Sequence, residues 1–97
     1  MADIIISREA QADFKRIWHY IALDDEAAAD RLLLAIDEKI GRLRDFPNLG
    51  APREEIFPGA HTLVHGSYLV LYEYDPAVDQ IEIVAVVEGM RDLDRLF

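Results

Sequence analysis

Y-L-V-L-Y-E-Y-D-P-A-V-D-Q-I-E-I-V-A-V-V-E, residues 68–88, is the stretch on which the fold turns. Two runs of β-branched, aromatic and aliphatic residues flank D-P-A-V-D at 75–79, a composition suited to a turn. The reading is a β-hairpin with strands Tyr68–Tyr74 and Gln80–Glu88. Side chains alternate along a strand with a period of two. Tyr68, Val70, Tyr72 and Tyr74 therefore point one way, and Leu69, Leu71 and Glu73 the other. In the second strand the same alternation sets Ile81, Ile83, Ala85 and Val87 against Glu82, Val84, Val86 and Glu88. Both faces of the hairpin are apolar at mid-strand, so both need cover.

Upstream, His61–His65 forms a third strand candidate, joined to Tyr68 by a tight turn at Gly66-Ser67. Before it lies P-N-L-G-A-P-R-E-E-I-F-P-G-A, residues 47–60, an irregular connection rich in proline and glycine. Further back the period lengthens to that of a helix. Ala29, Leu33, Ile36, Ile40 and Leu43 make an apolar stripe, widened by Leu32 and ended by Pro47, which disfavours helical geometry at Phe46. Gly41 weakens this helix or permits close packing. An earlier helix starts at Arg8 behind a Ser7 cap, carries Ala10, Phe14, Ile17 and Ile21 on one stripe, and ends near Leu23. Asp24 and Asp25 then suit the cap of the next helix, so the two form an antiparallel hairpin. A short strand, Asp3–Ser7, opens the chain.

The order is β-α-α-β-β-β: an N-terminal strand, an antiparallel helical hairpin, then a three-stranded antiparallel meander, an α+β fold in which residues 1–97 make one domain. One helical hairpin covers one sheet face. The other must be closed by the 47–60 connection, by the apolar tail (Met90, Leu93, Leu96, Phe97), or by another molecule.

Composition narrows the function. The 97 residues include 19 Asp and Glu against 10 Lys and Arg, a net charge of −9. Seven basic and ten acidic residues fall in 1–47, and three basic against nine acidic in 48–97. Such a field opposes direct nucleic-acid binding. The absence of cysteine excludes disulfides, thiolate zinc sites and a cysteine nucleophile, and suits a reducing cytoplasm. The start M-A-D-I-I-I-S lacks the basic flank of a signal peptide, and no apolar run is long enough to span a membrane, so a soluble cytoplasmic location is expected. No catalytic constellation, cofactor or metal site emerges. His61 and His65, four apart on a strand, stand about 13 Å apart, too far to share an ion. Neither Ser7 nor Ser67 lies in a nucleophile turn, and the glycines form no phosphate loop.

Six fragments in fixed order carry a resemblance: A-D-F-x-x-I-x-x-Y-I at 12–21, A-A-x-R-L at 28–32, I-x-x-L-x-x-F-P-x-L-G at 40–50, P-G at 58–59, Y-L-V-L-Y-E-Y at 68–74 and I-E-I-V-A-V-V-E-G-M-R-D at 81–92. Over nearly the whole chain the pattern resembles the ParE branch of the ParE/RelE superfamily of type II toxin–antitoxin toxins. That resemblance implies a RelE/ParE-like fold, a cognate ParD-like antitoxin that wraps the toxin into a hetero-oligomer, and, for ParE, inhibition of DNA gyrase. RelE-type toxins instead cleave messenger RNA on the ribosome, using basic sheet residues, an arginine after the last strand and a C-terminal tyrosine. Arg91 matches the arginine, but Phe97 stands at the tyrosine position, and 61–88 holds no Lys or Arg. Two positions depart from the ParE pattern: His61 replaces a common arginine, and Glu88 a common histidine. The expectation is thus a non-enzymatic toxin, with a ribosome-dependent endoribonuclease or a non-toxic member of the family as the alternatives. Arg91 and Met90 would contact the target, and Leu69, Leu71, Val84, Val86, Leu93, Leu96 and Phe97 the antitoxin.

Overall fold

The computed structural model describes residues 1–89. The elements are β1 (Asp3–Ile6), α1 (Arg8–Ala22), α2 (Glu26–Gly41), a single 3-10 turn at Arg42–Arg44, β2 (Ala51–Pro52), β3 (Ala60–His65), β4 (Tyr68–Asp75) and β5 (Gln80–Glu88). They form one five-stranded sheet in the order β1-β5-β4-β3-β2. β3, β4 and β5 are the expected meander, and β1 lies parallel to β5 with Ile4 opposite Ile81 and Ile6 opposite Ile83. The α+β architecture is as the sequence implied, with one element added: Ala51–Pro52 pairs with His61–Thr62 as an edge strand.

Both helix starts follow from their caps. Ser7 Oγ accepts from the Ala10 amide at 3.0 Å, and Asp25 Oδ1 from the Ala28 amide at 3.1 Å. Ala10 and Ile17 of α1 and Ala29, Ile36 and Ile40 of α2 are buried, as is Leu43 in the 3-10 turn, and Phe14, Ile21, Leu32 and Leu33 pack against this core. The second helix stops at Gly41, earlier than the proline alone suggested, and tightens into the 3-10 turn before Asp45. Gly41 is not needed for close packing among the described residues: of these, a Cβ there meets only Arg44 Nη1, at 3.5 Å. Gly41→Ala should therefore raise stability by about 0.5–1 kcal/mol in urea unfolding, through helix propensity.

The alternation read along β5 needs correction. Tyr72 pairs with Ile83 but Leu71 pairs with Ala85, so Val84 is an extra residue, a β-bulge. Past it the faces exchange. Ile81, Ile83 and Val86 all join the helix-side core with Val70 and Tyr72, while Ala85 and Val87 turn with Leu71 and Leu69 to the face away from α1 and α2, helix-free among the described residues. Helix α1 satisfies the backbone at the bulge. Ser7 Oγ donates to the Val84 carbonyl at 2.8 Å, the Ser7 amide donates to the Ile83 carbonyl at 3.0 Å, and the Val86 amide donates to Asp13 Oδ2 at 2.9 Å. Asp13 is a buried carboxylate at 8% exposure; its other oxygen accepts from Arg16 Nη1 at 2.8 Å. An unpaired group there would be costly, and this network leaves both carboxylate oxygens and both bulge groups paired.

Candidate functional site

Three surfaces are positioned by this fold: the helix-free face of the sheet, the loop that packs on its corner, and a groove on the helical side. On the helix-free face, Leu69, Leu71, Ala85 and Val87 are buried rather than open. Ile56 and Phe57, from the Arg53–Gly59 connection, pack over them. That connection folds back because the Arg53 amide donates to the Ala60 carbonyl at 2.8 Å, the Ala60 amide to the Phe57 carbonyl at 3.1 Å, and the Gly59 amide to the Glu54 carboxylate at 3.2 Å. Gly59 itself takes φ +84. So the chain closes much of its second face with the connection, one of the three possibilities the sequence allowed.

The remainder of that face is acidic. Glu73 and Glu82 stand directly opposite each other on β4 and β5, and the exposed Ile5 of β1 pairs with Glu82. Arg53, in the connection before β3, is held by the Thr62 hydroxyl at 3.4 Å and Glu55 at 3.5 Å. His61 and His65 share the strand face of the buried Leu63, on the helical side. His61 stacks on Tyr72, with ring centroids 5.4 Å apart, and its Nδ1 sits 3.0 Å from the Gly59 carbonyl oxygen. Neither imidazole faces the Glu73–Glu82 pair. Among the described residues, no cluster of three or more His, Asp or Glu is arranged to hold a metal, and no helix is long and apolar enough to cross a membrane.

The corner is built around Tyr72. Its hydroxyl donates to the Pro47 carbonyl at 2.8 Å and accepts from the Gly50 amide at 2.9 Å, so the 46–50 loop is tied to the core. Outside that tie, Phe46 and Leu49 are solvent-exposed. Burial pushes the Tyr72 phenol above its ordinary value of 10.0, outweighing the opposing effect of the Gly50 amide bond, which favours the anion. A phenol that ionises less readily when folded stabilises the protein fully below pH 10.0, and this contribution is lost as pH rises through the elevated folded value. Unfolding midpoints should fall above about pH 10 and fall less steeply in Tyr72→Phe, as followed by circular dichroism.

The groove lies between α1, α2 and the end of β1. Ile6, Phe14, Trp18, Leu33 and Leu34 line about 520 Å³, with Asp30 and Asp37 at its edge. The Trp18 indole donates to Asp30 Oδ1 at 2.8 Å, which fixes the ring.

Of the residues singled out from sequence, Leu69 and Leu71 lie beneath the 53–59 connection, Val84 is the half-buried bulge residue, and Val86 is fully enclosed in the helix-side core. Met90, Arg91, Leu93, Leu96 and Phe97 lie outside the described residues. Sequence reasoning did not single out Asp13 or the groove. Asp13 did carry a signal: an acidic residue spaced three and four from Ala10 and Ile17, on the buried stripe. Leu34 carried another, as a leucine off the stripe that remains 65% exposed.

A strand laid parallel on the last strand of an antiparallel meander, with a helical hairpin on one face, defines the α+β fold of the RelE/ParE toxins. The structure of the chromosomal ParDE toxin–antitoxin system from P. aeruginosa superposes with a TM-score of 0.75 at 25% identity, covering 92% of this chain and 97% of that one. The RelBE2 toxin–antitoxin complex from Mycobacterium tuberculosis shares the fold, with a TM-score of 0.69 at 21% identity, covering 90% of this chain and 96% of that one. A search of curated proteins gives no significant match. The family model for the ParE toxin of the type II toxin–antitoxin system, parDE, matches residues 4–93. The chain belongs to the ParE toxin family.

Proposed function

We propose that the protein is a toxin that acts by binding and inhibiting DNA gyrase, without catalysis, and that a ParD-like antitoxin neutralises it by direct contact. The observation that supports the non-enzymatic reading is the half-buried pair Glu73–Glu82, in a set of strands, β3 to β5, without a single Lys or Arg. Cleavage of RNA through the 2′-hydroxyl develops negative charge on the phosphate, and that charge needs cations aimed at it. Two carboxylates raise the energy of the same transition state. The competing reading is a ribosome-dependent endoribonuclease. It would lean on Arg91 alone for charge stabilisation, with Phe97 unable to exchange a proton.

In this reading Met90 and Arg91 contact the target, while Val84 and the tail residues Leu93, Leu96 and Phe97 contribute to antitoxin contact. Leu69, Leu71 and Val86, expected from sequence to meet the antitoxin, are covered by their own chain and are not contacts in this reading. Inducing the protein in a bacterial host should arrest growth, with translated messages intact by primer extension and growth restored by the antitoxin encoded beside it. Message cleavage at ribosomal positions, abolished by Arg91→Ala, would establish the ribonuclease instead. Growth unaffected at full expression would remove the toxin reading.

A further inference from the structure

The corner between α2 and β2 differs in charge from the rest of the chain. Residues 39–49 hold three of the ten basic residues, Lys39, Arg42 and Arg44, and one of the nineteen acidic ones, Asp45. Arg42 and Arg44 are exposed, and neither is in an ion pair among the described residues. Lys39 is engaged by the Val64 carbonyl, at 2.6 Å. Beside the two arginines lies a hollow of about 430 Å³ lined by Asp45, Phe46, Pro47, Asn48 and Leu49. Phe46 is 64% exposed and Leu49 50%. The Phe46 amide donates to the Arg42 carbonyl at 3.0 Å, and the Leu49 amide to the Phe46 carbonyl at 3.0 Å, so cations and apolar groups share one fixed turn. Tyr72 anchors its far side through Pro47 and Gly50.

We infer that this corner is where the toxin's protein target docks, through an extended acidic segment that sets two apolar side chains on Phe46 and Leu49 and its carboxylates against Arg42 and Arg44. The inference rests on the reading that the protein acts by binding a target, and it adds a contact surface to Met90 and Arg91. Apolar side chains exposed beside unpaired cations fit a partner of opposite charge. Because the turn is already tied to the core, docking there orders little of this chain. Charge separates this occupant from the others. An antitoxin that covers the body of a chain of charge −9 is matched to it by basic groups, and those would meet Arg42 and Arg44 as like charges. Nucleic acid carries its phosphates along a track, and past two guanidiniums it meets Asp45 and the same negative field. A second copy of the chain brings that field with it.

The full-length protein is induced in a bacterial host at matched levels as wild type, as Arg42→Glu/Arg44→Glu and as Leu49→Asp. Each purified form is titrated with the antitoxin encoded beside it. The three side chains are exposed, and circular dichroism checks each fold. Both variants should need about tenfold more protein to arrest growth. Their antitoxin affinity should stay within about twofold of wild type. A fluorescent peptide with Leu and Phe set among aspartates should bind the wild type, more weakly as salt rises, and its lysine counterpart should not. Unchanged arrest by both variants would overturn the inference and leave the toxin reading intact. Antitoxin affinity falling in step with arrest would give the corner to the antitoxin, and a single-stranded oligonucleotide that displaces the peptide would give it to nucleic acid; either result overturns it. Oligomers of the protein alone that Leu49→Asp dissolves would give it to a second copy, with the same consequence. Arrest lost in both variants, with gyrase untouched by the wild type, would support the corner and remove gyrase as the target. A wild type that leaves growth unaffected removes the toxin reading and this inference together.

Discussion

Asp13→Ala is expected to lower the unfolding free energy by about 3 kcal/mol in urea denaturation. The carboxylate it removes takes the Val86 amide at 2.9 Å on one oxygen and Arg16 on the other, at a site only 8% exposed. Deleting it strands a buried N–H at the one place where the sheet has lost a ladder bond to the Val84 bulge, and leaves the guanidinium without its partner. Hydrogen bonds to charged groups contribute about 1.5–3 kcal/mol, and an unsatisfied buried donor costs about as much again. Asp13→Asn keeps an acceptor of the same shape and should cost about 1 kcal/mol. If both variants unfolded like wild type, the charge and the amide bond would be dispensable, and the bulge would be held by β-sheet packing alone.

Gly50→Ala should be nearly as damaging, at about 2–3 kcal/mol, for a steric reason. A Cβ at this position would come within 2.7 Å of the Thr62 carbonyl oxygen, 2.8 Å of Tyr72 Cε1 and 2.9 Å of the Tyr72 hydroxyl. The first contact is backbone in a paired strand, so it yields only if β2 and β3 separate. Movement also breaks the bond from the Gly50 amide to the Tyr72 hydroxyl, loosening the 46–50 loop. Tyr72→Phe/Gly50→Ala compared with each single change separates the two contributions, since residues in contact are expected not to add.

These two residues show what can and cannot be read in the chain. The hairpin at 68–88 was legible because both strands are apolar over most of their length and D-P-A-V-D cannot continue either; β5 begins and ends at Gln80 and Glu88 as read. The bulge inside it was not legible. V-A-V-V at 84–87 fits either face, so slipping by one residue leaves no mismatch in the pattern. What fixes the slip lies 77 and 73 residues away, in Ser7 and Asp13. β2 escaped notice because two residues, one a proline, have no period. The cover of the second face was half legible: Ile56 and Phe57 are plainly apolar, but only the turn at Arg53–Ala60 tells where they fold. The groove was missed because a helix stripe is read as the buried face, whereas Leu34 is informative by lying off it.

The same chemistry links fold to function. An acidic chain that covers much of its second face with Ile56 and Phe57 leaves exposed, among its described residues, Leu34 beside the helical groove and the corner at Phe46 and Leu49. The sheet itself sets Glu73 and Glu82 opposite each other on β4 and β5.

Supercoiling of relaxed plasmid by purified DNA gyrase, with the full-length protein added alone and then with its antitoxin, tests this most directly. The expected result is dose-dependent loss of supercoiling that Arg91→Ala weakens and the antitoxin relieves. Undiminished supercoiling at saturating protein that is folded and arrests growth would contradict it.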